Sequence, residues 1–221
     1  MGPEPATVFN VHEGLVRASS EFFDKAMRRD WKEATDRVVK LPNDDPTVFR
    51  LYVHWLYSGT LPCQIDEPNP TGNLEYLQLA KAHVLGIKLL VKRFADATVD
   101  AIIEKAHSIA SDGHSWFPDG EAIRYLYANT LPSSPVRRLL VDFYVSCGNK
   151  DWVAEWDSPE ERPSEFLFDL AVGLYEKQTC VNPLQAEPCA YHQHELDSTE
   201  CYNHCEKIEG EKDDKAVNGS T

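Results

Sequence analysis

The sequence predicts an α+β domain over residues 1–106, followed by an all-helical C-terminal extension. Residues 7–11 alternate apolar and polar side chains as a half-buried strand does, and residues 37–41 form a second short strand pattern. Elsewhere in this domain, apolar residues recur at spacings of three and four, which indicates amphipathic helices. The predicted order is a strand, a helix pair, a second strand and then three helices.

The most clearly predicted helix begins after Asp45. Asp45 suits the N-cap, Pro46 suits the first turn and Gly59 suits the end of the helix. Its apolar stripe follows the spacing i, i+3, i+4, i+7 and i+8 and consists of Val48, Leu51, Tyr52, Trp55 and Leu56. Upstream, Ser19-Ser20 interrupts a helical pattern, which predicts two short helices in tandem with a serine capping the second.

Composition divides the rest of the chain into four segments. Residues 107–120 are rich in Gly, Ser, Asp and Pro, which is typical of a linker, and residues 121–178 return to helical spacing. Residues 179–205 contain four of the six cysteines. Residues 206–221 are charged and almost without apolar side chains, a composition typical of a disordered acidic tail.

Charge and hydropathy exclude several classes of partner. The net charge of −14 opposes binding to nucleic acid or to an anionic membrane, because both are negatively charged. No stretch approaches the roughly 18 to 20 apolar residues that span a bilayer, and residues 1–5 lack the features of a secretory signal. We therefore expect a cytoplasmic or nuclear location, with reduced cysteines unless a metal binds them.

Three segments of the predicted α+β domain share a distinctive order of aromatic, polar and proline residues. They are Phe9-x-Val11-His12-Glu13-x-Leu15-x-x-Ala18-Ser19-Ser20-x-Phe22-Phe23, Val39-x-Leu41-Pro42-x-Asp44-Asp45-Pro46-x-x-Phe49 and Tyr52-Val53-His54-Trp55-Leu56-Tyr57-Ser58-Gly59-Thr60-Leu61. The first resembles the opening of a BTB/POZ domain, and the other two are similar to the fungal branch of that family. The resemblance implies a BTB/POZ fold over residues 1–106, in which a small sheet accompanies a helical cluster. It also implies a protein–protein interaction module, often a homodimer.

The N-terminus departs from the pattern of this family. BTB/POZ domains usually begin with a valine-rich strand, whereas Gly2-Pro3-Glu4 resembles the turn that follows that strand. We therefore expect the first strand to be missing and the next strand to have an open edge. Either the gene sequence is truncated, or another chain supplies the strand by β-augmentation. This departure leaves homodimerisation an open question.

The resemblance points to one partner-binding motif, Trp31-Lys32-Glu33. BTB/POZ adaptors of cullin-type ubiquitin ligases carry a hydrophobic-x-Glu motif after the helix pair, and Trp31 and Glu33 fall at that position. An exposed aromatic residue can anchor in the groove of a partner. The alternative is that Trp31 packs back onto its own domain and that Glu33 is solvated. The chain would then be a homo-oligomeric structural or regulatory scaffold without a ubiquitin-ligase role.

A cluster of cysteines and histidines near the C-terminus predicts a structural zinc site. The candidates follow the pattern Cys-x-x-His-x-His, six residues, and Cys-x-x-His-Cys, and they are Cys189, His192, His194, Cys201, His204 and Cys205. Short-spaced pairs of this kind are typical of zinc ligands. Six candidates for four positions leave the ligand set open, and the spacing does not match a standard zinc finger. The alternative is an unliganded polar segment, and no other cofactor is expected.

Motifs for catalysis do not occur in the sequence. It contains no Gly-x-Ser-x-Gly nucleophile elbow, no glycine-rich phosphate loop and no His-Glu-x-x-His metal motif. The sequence therefore predicts a binding protein and not an enzyme.

Overall fold

A computed structural model describes residues 7–28, 32–62, 66, 74–154, 163–176, 182–186 and 188–193. In these ranges the chain forms α-helices and a final 3-10 helix at Pro188–Tyr191. The α-helices are α1 (Glu13–Ser19), α2 (Glu21–Ala26), α3 (Lys32–Asp36), α4 (Pro46–Ser58), α5 (Leu74–Lys88), α6 (Lys92–His107), α7 (Gly120–Asn129), α8 (Pro135–Ser146), α9 (Asp151–Ala154) and α10 (Ser164–Tyr175).

The predicted α+β class with a small sheet is wrong, because no β-strand occurs among the residues that the structure describes. A strand requires a neighbouring strand that pairs with its backbone N–H and C=O groups. Residues 7–12 and 38–41 instead have no regular secondary structure. The apolar side chains Val11, Val39 and Leu41 pack against a cluster of helices. The alternating pattern therefore reflects contact with helices and not pairing of strands.

The predicted helix boundaries that depend on local capping are confirmed. The Asp45 carboxylate accepts a hydrogen bond from the Thr47 backbone N–H at 2.8 Å, and α4 begins at Pro46. It ends at Gly59, whose φ of 73° lies in the left-handed region that favours glycine. Ser20 separates α1 from α2, and its hydroxyl accepts from the Phe23 backbone N–H at 3.2 Å.

A hairpin of two long helices, α5 and α6, lies between two apolar clusters. One face of the hairpin packs against the N-terminal helices, and this N-terminal cluster consists of Val16, Phe23, Val48, Tyr52, Ala82, Leu85, Leu89, Val91 and Phe94. The other face packs against α7, α8 and α10, and this C-terminal cluster includes Tyr76, Leu79, Val99, Ile102, Ile123, Leu126, Leu139, Leu140, Phe143 and Phe166. Both clusters therefore depend on the same pair of helices.

None of the helices in the described ranges is both long enough and apolar enough to cross a bilayer. The segment Gly2-Pro3-Glu4 lies outside these ranges, so the missing first strand stays a prediction. The division into residues 1–106, 107–120, 121–178, 179–205 and 206–221 likewise stays a prediction.

Candidate partner-binding site

The bend between α1 and α2 is fixed by hydrogen bonds and ion pairs. Arg17 of α1 donates two hydrogen bonds to the Asp24 carboxylate of α2, at 3.0 and 2.8 Å, and one to Glu13 at 3.1 Å. The hydrogen bond from Arg17 holds the pKa of Asp24 below its ordinary value. At the bend, the buried Ser20 hydroxyl donates to the backbone C=O of Leu89 at 2.6 Å. This contact joins the helix pair to the turn between α5 and α6.

Glu33 of the predicted partner-binding motif is half-buried in the first turn of α3. Arg37 follows this helix with a φ of 54°, a conformation that residues other than glycine rarely adopt. The Arg37 guanidinium pairs with the Glu13 carboxylate of α1. The end of α3 is therefore connected to α1. Trp31, the other predicted residue of this motif, lies outside the described residues.

Several apolar side chains of the N-terminal part are exposed. The most exposed is Val8, at 79%, and the others are Leu15, Val38 and Tyr57. The Tyr57 hydroxyl lies 2.7 Å from His12 Nδ1 and accepts a hydrogen bond from the His12 backbone N–H at 2.9 Å. Exposed apolar side chains of this kind are the ones that a protein partner can cover.

The segment at residues 188–193 is held by acidic side chains of α6 and α8. The Tyr191 hydroxyl donates to Asp142 Oδ2 at 3.0 Å, and the Gln193 backbone N–H donates to Asp96 Oδ1 at 2.8 Å. Between them, His192 Nε2 lies 2.7 Å from Asp100 Oδ1. Tyr191 and His192 are buried. These contacts attach the C-terminal segment to both helices.

Two of the six predicted zinc ligands belong to this segment. The His192 backbone N–H donates to the Cys189 backbone C=O at 3.3 Å, so both residues lie in one turn. Cys189 is half-buried. The other candidates, His194, Cys201, His204 and Cys205, fall outside the described residues. Within the described part of the chain, no three His, Cys, Asp or Glu side chains are grouped as a metal site requires.

The acidic residues that hold this segment were not predicted from the sequence, and they are Asp96, Asp100 and Asp142. The sequence does contain a signal, because Asp96 falls on the apolar stripe of α6. In the structure this residue is only 3% exposed. A buried carboxylate is rare unless it has a hydrogen-bond partner. Its partner could not be predicted, because Gln193 lies far away along the chain.

Comparison with known proteins identifies the N-terminal part of the chain. Residues 5–101 match the family described as BTB/POZ domain. The chain contains a BTB/POZ domain. This domain extends from the N-terminal helices into α6, so it supplies Asp96 and Asp100, whereas Asp142 lies beyond it. Its presence confirms the resemblance to a BTB/POZ domain and the general function of a protein–protein interaction module, which is not typically enzymatic. The similarity to the fungal branch of the family stays a prediction.

One curated protein to which the chain is similar is Kelch repeat and BTB domain-containing protein 4 of Mus musculus. The two sequences are 36% identical over 59 residues, which is 27% of this chain and 11% of the mouse protein. The chain therefore covers only a small part of the length of that relative. No solved structure gives a significant match to the chain.

Proposed function

We propose that this chain is a substrate adaptor that recruits a protein partner to a cullin-type ubiquitin ligase. The observation that carries the proposal is the BTB/POZ domain at residues 5–101. In the proposal, Trp31 and Glu33 contact the cullin, and the substrate binds the helical extension. The position of Glu33 supports this assignment, since α3 is the next described helix after the helix pair.

The contacts around α3 favour binding by a preformed surface. Arg37 connects the end of α3 to Glu13, and Arg17 connects Glu13 to Asp24 of α2. A binding element that is already ordered loses less conformational entropy when a partner docks. Glu33 can then accept a hydrogen bond from the partner, while the Trp31 side chain enters an apolar groove.

A pull-down with purified cullin N-terminal domains tests the adaptor proposal on the full chain. Trp31→Ala and Glu33→Ala should each weaken cullin binding at least tenfold. Asp36→Ala is the matched control, because it removes an exposed carboxylate from the other end of the same helix. The proposal is rejected if the wild-type chain binds no cullin. If it binds but both variants bind equally well, the assignment of Trp31 and Glu33 is wrong.

The alternative function is a homo-oligomeric structural or regulatory scaffold without a ubiquitin-ligase role. The exposed side chains Val8, Leu15 and Val38 favour it, because a second copy would remove them from water. Light scattering over a range of concentrations tests it. The scaffold predicts a dimer or larger assembly that Val8→Asp and Leu15→Asp weaken. A chain that stays monomeric at every concentration excludes it.

A further inference from the structure

The outer face of α10 is apolar and exposed. Four side chains follow the helical spacing i, i+3, i+4 and i+7 along it, and these are Phe168, Ala171, Val172 and Tyr175. Phe168 is 69% exposed and Tyr175 is 93% exposed. Exposed aromatic residues grouped on one face of a helix are characteristic of binding surfaces.

The inner face of α10 is fixed against the C-terminal cluster, so the outer face cannot turn inward. Phe166 and Leu170 are buried in that cluster. At Gly173 an added Cβ would lie 2.8 Å from Val141 Cγ1 and 3.2 Å from Val145 Cγ2 of α8. This close approach sets the rotation of α10, and the apolar outer face is therefore a fixed feature of the surface.

Acidic residues line one edge of this outer face. Glu165, Asp169 and Glu176 share one side of the helix, because they are spaced by four and seven residues. Asp169 accepts a hydrogen bond from the Tyr127 hydroxyl at 2.9 Å, and Glu165 pairs with the buried Arg137. A carboxylate has about four lone-pair positions, so each can accept further hydrogen bonds from a partner.

We propose that the outer face of α10 binds an amphipathic helix of another protein that carries a row of basic residues beside its apolar stripe. Apolar contacts with Phe168 and Tyr175 would supply affinity, and the acidic edge would set the orientation of the partner. This surface lies outside residues 5–101, and its assignment does not depend on cullin binding.

The negative charge of the chain and the small area of the outer face of α10 argue against a second copy of the chain as the partner that binds there. A second copy would bring its own acidic edge and a net charge of −14 against the same surface, which is repulsive. A stable dimer interface buries about 800 Å² on each partner. The outer face extends over only two helical turns, or about 10 Å, which suits one docked helix better.

Fluorescence anisotropy with two synthetic peptides tests the proposal on the full chain. Both peptides are helical, about four turns long and share one leucine stripe, but one carries lysines and the other glutamates along the edge. We expect the lysine peptide to bind at least tenfold more tightly than the glutamate peptide. The double variant Phe168→Ser/Tyr175→Ser should bind the lysine peptide at least tenfold more weakly than the wild type does. The double variant Asp169→Asn/Glu176→Gln should reduce the difference in affinity between the two peptides.

Two control variants test whether peptide binding is specific to the outer face of α10. Leu131→Ser removes an exposed leucine elsewhere on the molecule, and Trp31→Ala removes the proposed cullin contact, so both should leave peptide binding unchanged. Equal binding of the two peptides, no binding of the lysine peptide, or unchanged binding to the serine variant would overturn the proposal. A dimer that the serine variant abolishes, or preferential binding to anionic lipid vesicles, would identify another occupant and also overturn it.

Discussion

The absence of a side chain at residue 173 sets how closely α10 approaches α8. Gly173→Ala would place a methyl group 2.8 Å from Val141 Cγ1, so the Val141 side chain or the helices themselves must shift. Overpacking of this kind costs about 1 to 3 kcal/mol of the free energy of unfolding, which urea denaturation measures. Gly14→Ala in α1 is the control, because nothing lies within 4 Å of its added Cβ and the expected change is a small gain.

His83 is a buried side chain whose protonated form opposes folding. Its side chain is fully buried, with Nδ1 3.1 Å from the Ala95 carbonyl oxygen and 3.1 Å from Thr98 Oγ1. In the part of the chain that the structure describes, Nε2 has no hydrogen-bond partner. Burial lowers the pKa of His83 from 6.5 to about 4, because the charged form cannot be solvated.

The depressed pKa of His83 predicts a loss of stability in mild acid. Between pH 6.5 and about pH 4 the unfolded chain binds a proton at this residue that the folded chain does not. The free energy of unfolding therefore falls as the pH falls through this window, by up to about 3 kcal/mol. Urea denaturation at a series of pH values should show a shallower slope for His83→Gln. The exposed His54→Gln variant should keep the wild-type slope, and an identical slope for all three proteins would contradict the prediction.

At the residue scale, the sequence predicts features whose causes are local. Asp45, Ser20 and Gly59 act within four residues of their own position, so their roles could be inferred from the helix pattern alone. The contact between His192 and Asp100 could not be inferred, because its partners are separated by 92 residues. Such a pair is formed by the packing of α6 against the C-terminal segment, and no local pattern encodes that packing.

At the element scale, Asp100 supplies one of the contacts that attach residues 188–193 to α6 and α8. Asp100→Ala would leave the buried His192 side chain without this acceptor, which costs about 1 to 3 kcal/mol. We expect faster hydrogen exchange at the backbone amides of residues 191–193, with exchange in α4 unchanged. Asp36→Ala removes an exposed carboxylate and serves as the control. Unchanged protection at residues 191–193 would show that Tyr191 and Gln193 suffice to hold the segment.

Structural zinc in the Cys/His-rich segment stays a prediction, and the turn of Cys189 and His192 is compatible with it. Metal-binding histidines commonly donate their second ring N–H to a carboxylate, and Asp100 is placed to accept it. We expect roughly one zinc ion per purified chain, because structural sites are tetrahedral and closed. Elemental analysis should find this zinc reduced in Cys201→Ser and retained in Cys147→Ser. A wild-type chain without zinc would contradict the prediction.

The helices were predicted better than the strands, and the reason is physical. A helix satisfies its own backbone hydrogen bonds, so an apolar stripe with capping residues is enough to indicate one. A strand depends on a second segment that its own sequence does not identify. Residues 7–11 have the alternation of a strand, yet Val11 contacts helices. The position of α10 relative to α8 was likewise beyond the sequence, since it depends on the contact at Gly173.

At the scale of the whole molecule, the hairpin of α5 and α6 should make the two clusters unfold together. Val48→Ala removes apolar contacts from the N-terminal cluster alone, at a cost of about 2 kcal/mol. In variants with a single tryptophan, Trp55 reports on the N-terminal cluster and Trp152 on the C-terminal cluster. We expect both probes to show the same lowered urea midpoint. If Trp152 in the Val48→Ala variant reports the same urea midpoint as in the protein without this substitution, the two clusters unfold independently.

The shared hairpin also determines where the chain can be divided for expression. A fragment that ends at residue 101 or 106 would contain the matched BTB/POZ region but would lose α7, α8 and α10. Tyr76, Leu79 and Val99 would then face water, although all three are buried in the full chain. Such a fragment should aggregate. A fragment that continues through α10 to residue 176 would retain the helices that cover this surface and is the better choice for isolating the domain.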